Sequence, residues 1–341
     1  MELGITSFAE TYPDPMSGET ISHAERLRQV VDEIVLAEEV GLDVYGVGEH
    51  HRPDFASSSP ATVLAAAAGQ TERIRLFPAV SILSTDDPVR VYQQFSTLDA
   101  VSAGRAELLV GRGSFIESFP LFGHSLDDYD ELFSEKLDLL LQIRDNEKVT
   151  WSGVFRPPIH GQGIYPRTED RPLPVRVAVG GTPASIVRAA ERGLSVALAI
   201  IGGSPDRFEA FADLHRKTLR ENGYDPEDVP LSVHAHGYVA DSTEQAADEY
   251  YNSYAIAMST IGRERGWGPM TRQQYDMMRR PEGSLVLGDP ETVAAKILHW
   301  REVLGVVRFE LHISVGTLPH EQVRRSIELL GTKVAPLVRS G

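Results

Sequence analysis

The stretch DVYGVGEHHRPDFASSSPATVLAAAAGQTERIRLFPAVSIL, residues 43–83, holds one full structural repeat. Residues 43–50 form a short apolar run that reads as a strand. It ends in Glu49-His50-His51, and a polar loop follows. Ser58, Ser59 and Pro60 then open an alanine-rich helix that stops near Gly69, because serine caps and an early proline favour helix starts. Residues 74–83, IRLFPAVSIL, return to a continuous apolar run, the pattern of a strand covered on both faces. Two strands joined through a helix run parallel, since only a long crossover brings the second back in the same direction. The adjacent imidazoles at 50 and 51 leave three readings: metal ligands, a general base, or surface decoration.

Working outward, the same unit recurs. Further strands are predicted at 3–8, 106–113, 174–181, 195–203, 231–240 and 307–316. Helices are predicted over 22–41, 86–104, 126–146, 182–193, 204–223, 242–258, 289–305 and 318–338. Eight strand–helix units in series predict an α/β fold closed into a (β/α)8 TIM barrel. A doubly wound open sheet is the alternative. The barrel is expected to form a single domain over 1–341, longer than the ~250 residues such a barrel typically needs. The surplus collects after the fourth and seventh strand–helix units, at 147–173 and 261–288. These are expected to be lids over the barrel mouth, with Trp151, Phe155, Trp267 and Met270 as contacts, or else surface elaboration.

Lys and Arg total 33 against 49 Asp and Glu, for a formal net charge of −16. Such a surface repels nucleic acid and anionic lipid. With no cysteine, disulfides, thiolate metal sites and cysteine nucleophiles are excluded. No apolar run approaches the ~18 residues of a membrane span. The first ten residues read as a strand, not as a basic-then-apolar leader, so a cytoplasmic protein is expected.

Barrel chemistry gathers at the C-terminal ends of strands. Gly180, Gly181 and Thr182 stand between a strand and a helix start, where free N–H groups suit an anion. The same residues also suit a plain tight turn. Arg112, between Gly111 and Gly113 and followed by Ser114, suits a phosphate or carboxylate; its bland reading is an ion pair with an acid in 117–131. His234 and His236 share a strand face. No carboxylate follows the last strand, so a metal-dependent hydrolase is disfavoured, no metal ligand set is assigned, and these histidines read as core or pocket residues. A nucleophile elbow and a nicotinamide fingerprint are absent.

These strand ends carry a resemblance. EHH at 49–51, SSPATVLAAAAGQTERIRL at 58–76, DDPVRVYQQFSTLDAVSAGRAELLVGRG at 86–113, FPLFG at 119–123 and RSIELLGTKVAPLV at 325–338 resemble the bacterial luciferase-like family of flavin-dependent monooxygenases, along essentially the whole chain. The resemblance implies a barrel that binds reduced FMN noncovalently and reacts with O2 to oxidise a small, partly apolar substrate, with a separate reductase supplying the reduced flavin. It implies His50 as the catalytic residue, acting in the oxygen chemistry or as an acid/base toward substrate. It places the phosphate near Arg112, Gly113 and Ser114 and near Gly180, Gly181 and Thr182. The ring would lie against Ala79 and Val80, with a cis bond between them. Phe8, Gly202 and Gly203 complete the cofactor-binding set at neighbouring strand ends. Luciferase proper also uses a basic residue in the helix after the fourth strand. Here SLDDYDELF, 125–133, is acidic, so only Tyr129 offers a hydrogen bond and no cation comes from that helix. A related branch uses a deazaflavin coenzyme, which carries hydride and does not activate oxygen; this is the alternative. A flavin-binding protein without catalysis is a third reading. Homodimers are the expected assembly, and light emission is not implied.

Overall fold

Parallel strands follow one another around a ring in the computed structural model, which describes residues 1–14 and 17–341. In chain order they are β1 (Glu2–Ser7), β2 (Val44–Val47), β3 (Arg75–Pro78), β4 (Ser81–Ile82), β5 (Leu108–Gly111), β6 (Lys148–Trp151), β7 (Ile159–Gly163), β8 (Val175–Val179), β9 (Ser195–Ile200), β10 (Leu231–Val239), β11 (Val286–Gly288) and β12 (Arg308–Ser314). The main sheet runs β3-β2-β1-β12-β10-β9-β8-β5-β4. β3 and β4 share the third barrel position: β3 pairs with β2 and β4 with β5. Backbone bonds between Leu76 and residues 105 and 107 close the base of that seam. This is a (β/α)8 TIM barrel. The strand expected over 74–83 is thus two pieces, separated by a cis peptide between Ala79 and Val80.

The barrel interior is filled in three layers, as a barrel of this width requires. At the N-terminal end Arg308 grips Glu107 through two bonds of 2.6 and 2.9 Å, and Arg176 donates to Glu310 at 2.8 Å. The middle is apolar: Val44, Phe77, Leu109 and Ala197 pack together. Gly46 belongs there for a steric reason, since a Cβ on it would lie 2.6 Å from the Phe77 ring. The top layer is polar. The Thr6 hydroxyl lies 2.7 Å from His234 Nε2 and 3.2 Å from His312 Nδ1, and His312 Nε2 lies 2.8 Å from Glu10.

The elements differ from expectation at several edges. The second-unit helix runs Pro60–Ala68, but Ser59 does not cap its backbone; its hydroxyl meets that of Thr62 at 2.8 Å. The helix expected over 242–258 continues to Glu264, taking the first residues of the second insertion, and β11 at that insertion's end pairs with β10. The first insertion contains the antiparallel pair β6–β7; Glu135 takes the amides of Val154, Phe155 and Arg156, Arg156 bonds Asp87 at 3.2 Å, and Arg167 donates to Ile143 and Arg144. Among the described residues no helix is long and apolar enough to cross a membrane.

Candidate active site

Glycines let the first three strand ends converge. A Cβ on Gly48 would meet Phe8 at 2.6 Å and the Ala79 carbonyl at 3.3 Å. Only a residue without a side chain allows this approach. Phe8 is thereby brought to His50, with ring centroids 5.0 Å apart. His50 also stacks on Phe55 at 4.2 Å and meets Phe115 edge-on at 5.3 Å. The loop that carries it is stitched in place: His50 N–H donates to Ser57, Ser57 Oγ donates to Gly48, and Ala56 N–H donates to Ala9. Neither ring nitrogen of His50 bonds to another of the described residues.

The two histidines of the EHH motif, just past the end of β2 at Val47, take different partners. His51 turns to Glu49, 3.0 Å away, and packs its ring edge-on against Phe122. The second Glu49 oxygen accepts Ile82 N–H at 3.0 Å. The acid therefore braces the chain where it resumes as β4. Phe55, Phe115 and the Glu49 brace were not singled out from sequence. Nothing local in the pattern marks them, because their roles depend on loops meeting in space.

The fourth and fifth strand ends are clasped together. Arg112 pairs with Asp130 at 2.7 Å, and its guanidinium lies over the Tyr129 ring, 5.0 Å from the centroid. Tyr129 OH does not point to an open ligand site; it donates to the Gly113 carbonyl at 2.6 Å. Arg188, on the helix Pro183–Ala190, reaches the same Asp130 oxygen at 3.1 Å. Arg188 brings a second cation to this place from the next unit and was not singled out from sequence for that reason. Its Nη1 is buried without a hydrogen-bond partner among the described residues, as is Ser185 Oγ in the first turn of that helix. Thr182 stands at the N-cap and makes no side-chain bond, and nothing lies within 4 Å of a Cβ built on Gly180. Gly181, with φ 98°, makes the turn between them. Gly202 and Gly203 follow the adjacent β9; Gly202 is equally open, and the Arg207 side chain lies beside Gly203. The second insertion does reach the mouth. Arg52 bonds Glu264 through both guanidinium nitrogens, Arg265 donates to the Ser114 carbonyl at 3.2 Å, and both guanidiniums lie over Phe115. Trp267 is 56% exposed.

His234 and His236 face the barrel axis, as alternation required, and both meet His312, at 5.8 and 5.2 Å between centroids. Among the described residues no group of three His, Asp or Glu is placed to hold a metal. Burial pushes His50 down from 6.5 to about 3, with repulsion from His312, His51 and Arg52 adding to it. Burial, then His312, takes His234 to about 3 and His236 well below its ordinary value. All three are neutral when folded. Below about pH 6.5 the unfolded chain takes up protons on these rings while the folded protein does not. The unfolded state then binds more protons, so stability falls as pH drops from about 6.5 toward 3. Thermal melts from neutral to mildly acidic pH are expected to show a falling Tm, with a shallower fall for His234→Gln. A Tm unchanged across that window would contradict neutral burial.

The profile of the family described as luciferase-like monooxygenase matches residues 1–307. The alkanal monooxygenase alpha chain of Photobacterium leiognathi is 25% identical, with 98% of each chain covered. The oxygenating constituent of 3,6-diketocamphane monooxygenase from Pseudomonas putida, a type II Baeyer–Villiger enzyme solved with FMN, has the same fold: TM-score 0.78 and 20% identity over 98% of each chain. So does an F420-dependent secondary alcohol dehydrogenase solved with an F420–acetone adduct, with TM-score 0.77 and 18% identity over 99% of each chain.

Proposed function

The chain belongs to the family of luciferase-like monooxygenases, and on that premise we propose that this flavin-type oxidoreductase uses reduced FMN and O2 to oxidise a small organic substrate. The observation that carries the proposal is the clasp at the fourth and fifth strand ends. Two guanidiniums share one carboxylate there, next to an open glycine turn, a free helix N-terminus and two buried donors without partners. Buried donors without partners are unfavourable unless a ligand satisfies them. A phosphate dianion does so and draws on the helix N-terminus as well.

The residues therefore fit the group. Arg112, Arg188, Ser185 and the Gly180–Thr182 turn would hold the phosphate, with Gly113 and Ser114 beside it. Phe8, Ala79 and Val80 would back the ring. Reduced FMN, when bound, supplies the two electrons that activate O2. His50 contributes an unprotonated imidazole at neutral pH, able to accept a proton at whichever ring nitrogen faces the reacting group. Phe55 and Phe115 hold that ring flat and keep water from it. Phe115, pinned by Arg52 and Arg265, covers the pocket. We further infer that a separate reductase supplies the reduced flavin, that the enzyme acts as a homodimer in the cytoplasm, and that 1–341 is one domain.

The test is anaerobic titration with reduced FMN, followed by O2 consumption. Arg188→Ala is expected to weaken reduced FMN by about tenfold to a hundredfold, the worth of one charge-assisted phosphate contact. Reduced riboflavin, which lacks the phosphate, should bind wild type and variant alike. Unchanged FMN affinity in Arg188→Ala would remove the phosphate assignment. The dehydrogenase neighbour keeps the deazaflavin reading open; absorbance titration in which the deazaflavin coenzyme binds and reduced FMN does not would establish it instead.

A further inference from the structure

A cleft of about 180 Å³ opens on the mouth side of the barrel, between the loop after β1 and the loop after β12. Four carboxylates line it, from Glu10, Asp14, Glu19 and Glu33, against one guanidinium, Arg26, and one imidazole, His320. Glu33 is already balanced. Arg26 lies 2.7 Å from one of its oxygens, His320 3.2 Å from the same oxygen, and Tyr45 OH donates to the other at 2.8 Å.

Glu10 is different. It is 6% exposed. A left-handed Ala9, with φ 56°, and a bridge from Glu10 to Phe55 fix the backbone there. One carboxylate oxygen takes His312 at 2.8 Å, and the other is buried with no hydrogen-bond partner among the described residues. A buried acceptor in this state is costly until a donor arrives. Glu10 and the exposed Glu19, within a chain of net charge −16, favour a cationic donor. Val315 and Leu318 supply apolar wall beside it, which suits a short aliphatic stem. Glu10 also connects the cleft to the reaction centre: His312 contacts Phe8 at 4.1 Å between centroids, and Phe8 contacts His50.

We propose that this cleft is a substrate subsite that takes the ammonium end of a small aliphatic amine, with Glu10 as the recognising carboxylate. The proposal rests on the oxidoreductase reading above and names its substrate class. It makes the preferred substrate a cation, not merely a small apolar molecule.

The test uses the full chain without flavin, so its result is separate from flavin binding. Protonated 1-butylamine, butan-1-ol and butyrate are compared by calorimetry and ligand-observed NMR. The amine is expected to bind about tenfold or more tighter than the alcohol, and butyrate not to bind, as expected for one ammonium–carboxylate contact in a partly dry site. Glu10→Gln should remove most of that preference. Glu19→Lys, at the exposed rim and without risk to folding, should weaken the amine several-fold through charge alone. Added salt should weaken the amine in wild type. An amine that fails to saturate at millimolar concentration, or that binds no better than the alcohol, overturns the proposal. So does an amine affinity unchanged in both variants. Failure here, with reduced FMN still bound tightly, would remove the amine subsite and leave the flavin reading intact.

Discussion

His50→Ala is expected to lower turnover by about a hundredfold to ten-thousandfold, the usual range for a positioned acid–base group. Reduced FMN should bind it nearly as well as wild type, because His50 lies in the Phe8–Phe55–Phe115 set and not in the arginine clasp. Burial takes the ring down to about 3 in the ligand-free protein, so it is neutral at working pH and gains base strength when a bound, negatively charged reacting group offsets that burial. Its nitrogens bond to no other described residue, so they remain open to a reacting group. His51→Ala provides the contrast. His51 is committed to Glu49 and Phe122, and its loss should leave turnover within a few-fold of wild type. Steady-state turnover with saturating reduced FMN, alongside cofactor affinity, checks both variants. If His50→Ala turned over like wild type, or if the two variants were equally impaired, the unequal roles assigned to the pair would be wrong.

The different placement of the two imidazoles was expected from strand parity, with Glu49 and His51 on one face and His50 on the other; β2 ends at Val47, and the two rings still take different partners beyond it. The barrel was legible for a similar reason, since strand and helix patterns alternate along the whole chain. The cis bond at Ala79–Val80 was expected only through the family resemblance; its outcome, a strand in two pieces, was not visible in the apolar run 74–83. The clasp was half visible. Arg112 and its acidic partner segment were apparent, but Arg188 lies 58 residues beyond Asp130 and reaches it only because adjacent barrel units touch. Glu10, with one buried oxygen unpartnered among the described residues, gave no signal. It is one of three acids in the loop that follows the first strand, and what sets it apart is its contact with His312, some three hundred residues away. Local pattern reports periodicity; pairings across the ring come from closure.

The N-terminal end of the barrel supports a second large effect, on stability. Glu107→Ala is expected to destabilise the fold by about 3–5 kcal/mol, the range for removing one partner of a buried ion pair. Glu107 is 4% exposed. Burial alone would raise its pKa, but Arg308 above all, then Arg176 and Arg75, hold it at about 2. Without it Arg308 keeps Glu2 at 2.7 Å and Glu310 at 3.7 Å, while Arg176 and Arg75 each lose a carboxylate at 3.6 and 3.2 Å. The loss is thus an uncompensated buried charge and not a missing attraction. It follows that Glu107→Leu combined with Arg308→Met should cost less than the sum of the two single changes, since removing both charges restores balance. Urea unfolding of the four proteins measures this directly. The proposed reaction centre lies at the opposite end of the barrel, so kcat of the folded Glu107→Ala protein should remain near wild type at low temperature. A destabilisation below about 1 kcal/mol, the worth of an exposed pair, would show that water already reaches this layer and that the base of the barrel is held by its apolar middle alone.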